Sequence, residues 1–408
     1  MKAKIFIQRR INGLNDVVSI FMDEVKMVFR DEGVIIFFFV VPLLYPLLYS
    51  WIYNNEIVED VAAVVVDDSN TSASRDFIRR CDASSGINVQ ARANNMEEAK
   101  LYLMDQSCKG IIHIPETFSE DIAVGRQTHV SLFINMSGMM YYKSLLVALT
   151  DISLDMGSKI QIQKLGNYTS REDEVSVKPL DYASVTIFNP QGGYGSYLLP
   201  AVLILIIQQT LILGIGLSAG TAREDNRYNT LVPYSKSYGG MYRIIFGKGL
   251  CYFIIYAIIS SYLTMVVPRI FHFIQIATFM DIVAILLPYI LACIFFGMTL
   301  SCLVRHRENI ILIAIFTSVP ILFMSGVSWP GSMIHGAWKS ISYLFPSTFG
   351  INAFVKMNSM GATLNDVRFE YYCLWIQVAA YFLAACYVYW RQIKLAHKHV
   401  LLGTPADL

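Results

Sequence analysis

Six stretches of the 408-residue chain are each about as long and as apolar as a bilayer is thick, and no other feature restricts the fold so severely. They run over 34–53, 197–219, 249–267, 282–304, 310–327 and 371–390. A spanning helix needs roughly 20 mostly apolar residues, because in hydrocarbon every backbone N–H and C=O must pair within the segment. Pro42, Pro46, Pro200, Pro288 and Pro320 interrupt or flank these runs, which membranes tolerate as kinks. Composition agrees: 15% charged residues and a mean hydropathy of +0.47 lie far from the roughly 25% charge of soluble domains. A net charge of +1 provides no basic surface for nucleic acid, so the expected surround is lipid.

Lys and Arg in short loops set the orientation of such a chain. Arg223, Arg227, Lys236, Arg243 and Lys248 lie in 221–248, Arg305 and Arg307 in 305–309, and Arg391, Lys394 and Lys398 after the last run. The 268–281 turn has only Arg269. With six spans all the basic loops share one side, which places both termini in the cytoplasm. Lys2, Lys4, Arg9 and Arg10 precede the first apolar run, which begins only at Val34 and has no small-residue cleavage site after it. This predicts a retained anchor rather than a removed signal. Within 1–33, Val17, Phe21, Val25, Val28 and Phe29 share one helical stripe, with Asp23, Glu24, Lys26 and Arg30 mostly off it. A helix lying in the cytoplasmic interface fits that pattern, and so does a soluble helix packed on a partner.

Residues 54–195 are predicted to form an extracytoplasmic α/β domain inserted between spans one and two. β-branched runs at 61–70, 86–92, 109–115 and 129–135 alternate with helical spacing at 72–81 and 96–106, the latter capped by Asn94 or Asn95. A longer helix over 141–165 leads back towards the membrane. Asp67-Asp68, followed by Ser-Asn-Thr-Ser, is a turn and helix cap rather than a metal pair. His113 and His129 have no third ligand nearby, so no metal site is expected. Cys81 and Cys108 could pair in an extracytoplasmic domain, although two separate thiols is the plainer reading.

No catalytic motif survives inspection. The string "GGMYRIIFGKGL" lacks the spacing with which a P-loop cradles phosphates, and no GxSxG or HExxH occurs. The cores of the spans hold essentially no acids or bases, whereas ion-coupled pumps carry them at membrane depth. This chain is therefore not expected to be an enzyme, and any transport must draw its energy from another chain. The polar groups that enter the membrane are amides and small residues: Gln208 and Gln209, then Gly214, Gly216, Ser218 and Gly220. Interhelical hydrogen bonding and close packing come first for these, and a place on a translocation path is compatible with them. Over 323–349 the sequence breaks into Pro, Gly, Ser and aromatics, with one charge, Lys339, between Pro330 and Pro346. Such backbone is tolerated at membrane depth only when buried in protein or lining a cavity, so a pair of short re-entrant or interfacial helices is expected within 328–370.

The segment "GTAREDNRYNTLVPYSKSYGGMYRIIFGKGL" resembles the cytoplasmic loop of type-2 ABC exporter permeases. There an Arg-Glu pair precedes a Gly-Thr-Leu-like element, a short helix and a Gly-Lys opening the third span. The matching residues are Arg223, Glu224, Thr230, Leu231, Gly247 and Lys248, with Asn229 departing from the usual Gly. Three further features follow the family in order: an elbow helix before the first span, the α/β insertion of the drug-exporter-like branch, and the stretch between spans five and six. In that stretch Ser325, Gly326, Trp329, Pro330, Leu344, Phe345, Pro346, Ser347, Thr348 and Phe349 match. The resemblance covers nearly the whole chain. It implies a polytopic α-helical permease half, paired with a second half (identical or related) and an ABC ATP-binding subunit, in a bacterial inner (cytoplasmic) membrane. It implies export of an amphiphilic or hydrophobic substrate by alternating access, with no cofactor in this chain and ATP used by the partner. The loop 221–248 would couple to the ATPase. Gln208, Gln209, Trp329, Pro330, Leu344, Phe345 and Pro346 would line the path and its outer gate, and the external domain would dock a periplasmic adaptor protein. The alternative is a membrane-anchored scaffold or receptor that binds a ligand or partner without transport.

Overall fold

Apolar runs that must satisfy their own backbone form helices, and six helices of the chain are long and apolar enough to cross a membrane. The computed structural model describes residues 2–165, 170–178, 187–189, 192–224, 240–303 and 307–402, together with 185. It divides into two units, 1–54 with 188–408, and 55–187.

In the first unit the candidate spans are Glu32–Ile52, Tyr194–Glu224, Gly240–Ile270, Phe279–Cys302, Arg307–Met324 and Arg368–Lys394. Most outrun the apolar stretches, because a helix continues through polar residues where hydropathy stops. The largest difference is in span three. It begins at Gly240, so Gly247 and Lys248 are helical residues and not the end of a loop. Side-chain bonds fix the order of the spans. Asp31, at the start of span one, meets Thr221 near the end of span two and Arg307 at the start of span five, at 2.5 and 2.7 Å. Arg223 at the end of span two and Gln392 on span six both donate to the Cys302 carbonyl at the end of span four. At the opposite end the rings of Tyr53 and Tyr194 lie 5.5 Å apart, and the Tyr197 hydroxyl donates to the Val327 carbonyl. Odd spans thus start where even spans finish.

Span two is the axis, with 94% of its most apolar window buried. Its small residues explain how neighbours come close. The Phe38 ring occupies the space a Cβ on Gly214 would need, the Ile310 side chain does so at Gly216, and the Arg307 backbone at Gly220. Wider π-turns at Ile36–Val40 and Tyr262–Val266 precede Pro42 and Pro268. Proline removes the N–H that would bond the carbonyl four residues back, and the Thr264 carbonyl so released accepts the Gln275 side-chain amide at 2.9 Å.

The amino-terminal helix is one continuous element, Lys2–Arg30, and packs on span three. Its buried face is Ile20, Glu24 and Val28, while Phe29 is exposed. This corrects the expected stripe: Glu24 lies on the buried face rather than off it, because it has partners there.

The 55–187 unit holds a four-stranded sheet in the order β2-β1-β3-β4. β1 (Val61–Asp67) runs parallel to β2 (Ile87–Ala93) and β3 (Gly110–Ile114), and β4 (Ser131–Ile134) is antiparallel to β3. Alternate β1 residues feed two cores, as the two-residue strand period requires: Val61, Ala63 and Val65 on one face, Val64 and Val66 on the other. Helices Ser72–Asp82 and Met139–Leu165 line the first core and Met96–Met104 the second. Thr71 and Ser74 form a capping box, and Asn95 accepts the Glu98 N–H. Asp67 accepts from the Asn70 N–H and the Ser74 hydroxyl, a turn and cap, and Asp68 lies 2.8 Å from His113 Nε2. Short helices at Phe118–Val124 and Ser170–Val177 have no counterpart in the sequence reading. Cys81 and Cys108 sit in the two different cores as free thiols. Burial pushes the Cys81 thiol up to about 12, so it stays protonated and inert.

Candidate functional site

At the end where spans one, three and five begin, the amino-terminal helix is fastened by acids spaced seven to eight residues apart on one helical face. Asp16 pairs with Arg243 at 2.6 Å, Glu24 with Lys248 at 2.6 Å, and Asp31, just past the helix, with Arg307 at 2.7 Å. The middle pair is the buried one, its side chains only 2% and 9% exposed. Such a pair survives out of water only when its remaining capacity is filled. Here Ser218 donates to Glu24 Oε1 at 3.1 Å, and the Tyr252 hydroxyl donates to the same oxygen. One carboxylate thereby joins the amino-terminal helix to spans two and three.

Gly247 makes that approach possible. A Cβ there would lie 2.9 Å from the Ile20 side chain and 3.0 Å from the Val17 carbonyl. The Gly247–Lys248 pair, expected to close a coupling loop, is thus a seat for the amino-terminal helix. Arg223 is also turned inward: it is buried, and its bond to the Cys302 carbonyl puts a cation at the carboxyl end of span four, where the helix dipole favours it. Glu224 is exposed. Thr230 and Leu231 lie outside the described residues. Glu24 is the residue that sequence reasoning missed. The available signal was the run Asp16, Glu24, Asp31 at two-turn spacing, set against basic residues at the starts of two spans.

Midway along span two the structure brings Gln208 and Pro346 together. Pro346 opens the helix Pro346–Met360, and Phe345 supplies no side-chain cap. The next N–H, on Ser347, is one of the orphan donors of a helix start, and it donates to Gln208 Oε1 at 2.7 Å. A span-two amide therefore caps a helix 139 residues away in sequence. Gln209 is also buried, and its amide has no hydrogen-bond partner among the described residues.

Side chains of span six and of the helix Pro346–Met360 satisfy carbonyls of the backbone between spans five and six. The Gln377 amide donates to the Tyr343 carbonyl at 2.8 Å, the Tyr381 hydroxyl to the Leu344 carbonyl, and Asn352 Nδ2 to the carbonyls of Ser325 and Thr348 at 3.0 and 2.8 Å. The expected pair of short helices is unequal: seven residues at Gly336–Ser342 and 15 at Pro346–Met360. The longer one packs on spans two, four and six, with the Tyr289 ring seated where Gly350 has no side chain. Of the residues expected to line a path, Gln208, Gln209 and Pro346 are buried and Phe345 half-buried. Trp329, Pro330 and Leu344 are exposed in the single chain.

Among the described residues no group of three His, Cys, Asp or Glu is placed to hold a metal ion. The contacts described fasten and pack helices. The sequence profile of the ABC-2 family transporter proteins matches residues 33–387, most of the chain. No curated protein matches it.

Proposed function

The chain belongs to the ABC-2 transporter family, and from that premise we propose that it is the permease half of an ATP-driven exporter. Members of the family are transmembrane components of ABC transporters, and they work with an ATP-binding partner. On this reading a second permease copy or related chain completes the pathway, and an amphiphilic or hydrophobic substrate leaves the cytoplasm or inner leaflet by alternating access. The membrane is the bacterial inner membrane, both termini are cytoplasmic, and the 55–187 unit lies outside, where an adaptor protein would dock.

The observation that carries this reading is the fastening of the amino-terminal helix around the Glu24–Lys248 pair. Residues 225–239 connect the ends of spans two and three, and both spans are tied to Glu24 by Ser218, Lys248 and Tyr252. A push delivered to that connection by a closing ATPase would move spans two and three with the amino-terminal helix as one block. The basic residues gathered at this end support a cytoplasmic placement.

The test is co-expression with a candidate ABC ATP-binding subunit, followed by ATP hydrolysis in nanodiscs. Glu224→Lys, at an exposed position beside the connection, is expected to weaken association. Glu24→Gln should leave association intact and lower stimulated hydrolysis by about tenfold, the factor that corresponds to ~1.4 kcal/mol. A complex indifferent to both changes would sink the coupling assignment.

A further inference from the structure

The outer-end helix Pro346–Met360 borders a cavity of about 300 Å³, walled also by the end of span five, residues 334–343 and the start of span six. One wall is aromatic: the rings of Tyr343 and Phe349 stack at 5.2 Å, and Phe369 meets Phe349 edge-on at 6.2 Å. The other groups are charged. Lys356 pairs with Glu370 at 2.5 Å, the glutamate side chain 9% exposed and the lysine 45%. Lys339 also lines the cavity, and its ammonium makes no hydrogen bond or ion pair among the described residues. With Lys356 and Glu370 cancelling each other, the cavity is left with one uncompensated positive charge beside apolar rings.

We propose that this cavity receives the anionic headgroup of an amphiphile, a phosphate or carboxylate on an apolar tail. Lys339 supplies the free charge, and Lys356, held in place by Glu370, supplies further donors. The size fits a headgroup rather than a whole molecule. A space of about 300 Å³ holds a phosphate and its first methylenes and is at the small end of whole-ligand pockets. A tail would continue outside, and the segment that supplies Lys339 and Tyr343 also exposes Trp338, Ile341 and Leu344. A cationic head would meet Lys339 first and could reach Glu370 only by displacing Lys356 from its ion pair. A neutral head would gain nothing from either lysine. The same anionic chemistry belongs to exported cargo and to a resident lipid of the outer leaflet. Only the cargo source rests on the export reading.

The test holds the tail constant and varies the head. The full chain, in nanodiscs of zwitterionic lipid, is titrated with dodecyl phosphate, dodecyl maltoside and dodecyltrimethylammonium. Dodecyl phosphate should bind at least about fivefold tighter than the maltoside, with the ammonium weakest. Lys339→Gln should cost the phosphate about threefold and Lys339→Glu about tenfold, leaving the maltoside unchanged. Lys356→Gln with Glu370→Gln removes both charges together, so neither is left unpaired, and should also narrow the preference. Equal binding of the three heads, tighter binding of the ammonium, or a preference that survives Lys339→Glu would overturn the proposal. Phosphatidylglycerol displacing dodecyl phosphate would support it with lipid as the source. Stimulation of ATP hydrolysis by dodecyl phosphate and not by phosphatidylglycerol would support it with cargo as the source. Binding is read without the ATPase, so loss of head preference refutes the cavity alone, and loss of coupling refutes the export reading alone.

Discussion

The helix bundle is held mainly by ion pairs at one end and mainly by neutral hydrogen bonds elsewhere. Where spans one, three and five begin, Asp16, Glu24 and Asp31 pair with Arg243, Lys248 and Arg307. Away from that end most of the fastening is neutral: Tyr197, Asn352, Gln377 and Tyr381 donate hydrogen bonds to backbone carbonyls and Gln208 accepts one N–H, alongside the Lys356–Glu370 ion pair. The contrast matters because the two kinds of contact fail differently. Removing one partner of a buried ion pair strands a charge, so that contact is close to all or none. A neutral side-chain bond to the backbone contributes about 1 kcal/mol net and can exchange for another. The end with three ion pairs on the amino-terminal helix should therefore move as a block, and the mostly neutral contacts elsewhere should be the ones that rearrange.

The sharpest way to break this comparison is to remove one charge of the buried pair. Glu24→Gln or Lys248→Met alone should cost about 3–5 kcal/mol in thermal unfolding of the detergent-solubilised protein. The double variant should recover most of that loss, because no charge is stranded, and additive losses would mean the pair is not a unit. Next in size, Gly247→Val should cost about 2–3 kcal/mol by forcing the amino-terminal helix off span three. Faster proteolysis around residue 31, with spans four to six unaffected, would mark that separation. Gln208→Leu attacks the neutral contacts. Losing the acceptor for Ser347 should cost about 1–2 kcal/mol and speed amide exchange at 347–350 without touching the amino-terminal helix. The smallest effect belongs to Asp16→Asn, whose partly exposed pair with Arg243 should be worth less than about 1 kcal/mol and vanish at high salt. If Asp16 proved as costly as Glu24, burial would not be what distinguishes the pairs.

Much of the architecture was legible in the residues. The six apolar runs, the four β-branched strands and the Asp67 turn all follow from period, length and local hydrogen bonding. Glu24 was not, because an amphipathic reading assigns every acid on such a helix to water. Only a cation 224 residues later, on another helix, makes its burial affordable. Gln208 was legible as a polar group in a span, yet its partner is the start of a helix that hydropathy could not delimit. Lys248 matches the Gly-Lys that opens the third span in the resemblance. It was placed in a loop because hydropathy ends at a charge, whereas the helix continues.

By itself, the sequence determined that this chain crosses a membrane several times, carries strands alternating with helices between its first two spans and holds no recognisable catalytic motif. Those properties depend on local periodicity and on the cost of unpaired backbone in hydrocarbon, and both are written in short stretches of residues. The tertiary structure decided which polar groups fasten the bundle and which remain free to meet a ligand. That choice depends on pairs far apart in the chain, and a charge or amide shows its role only when its partner's position is known.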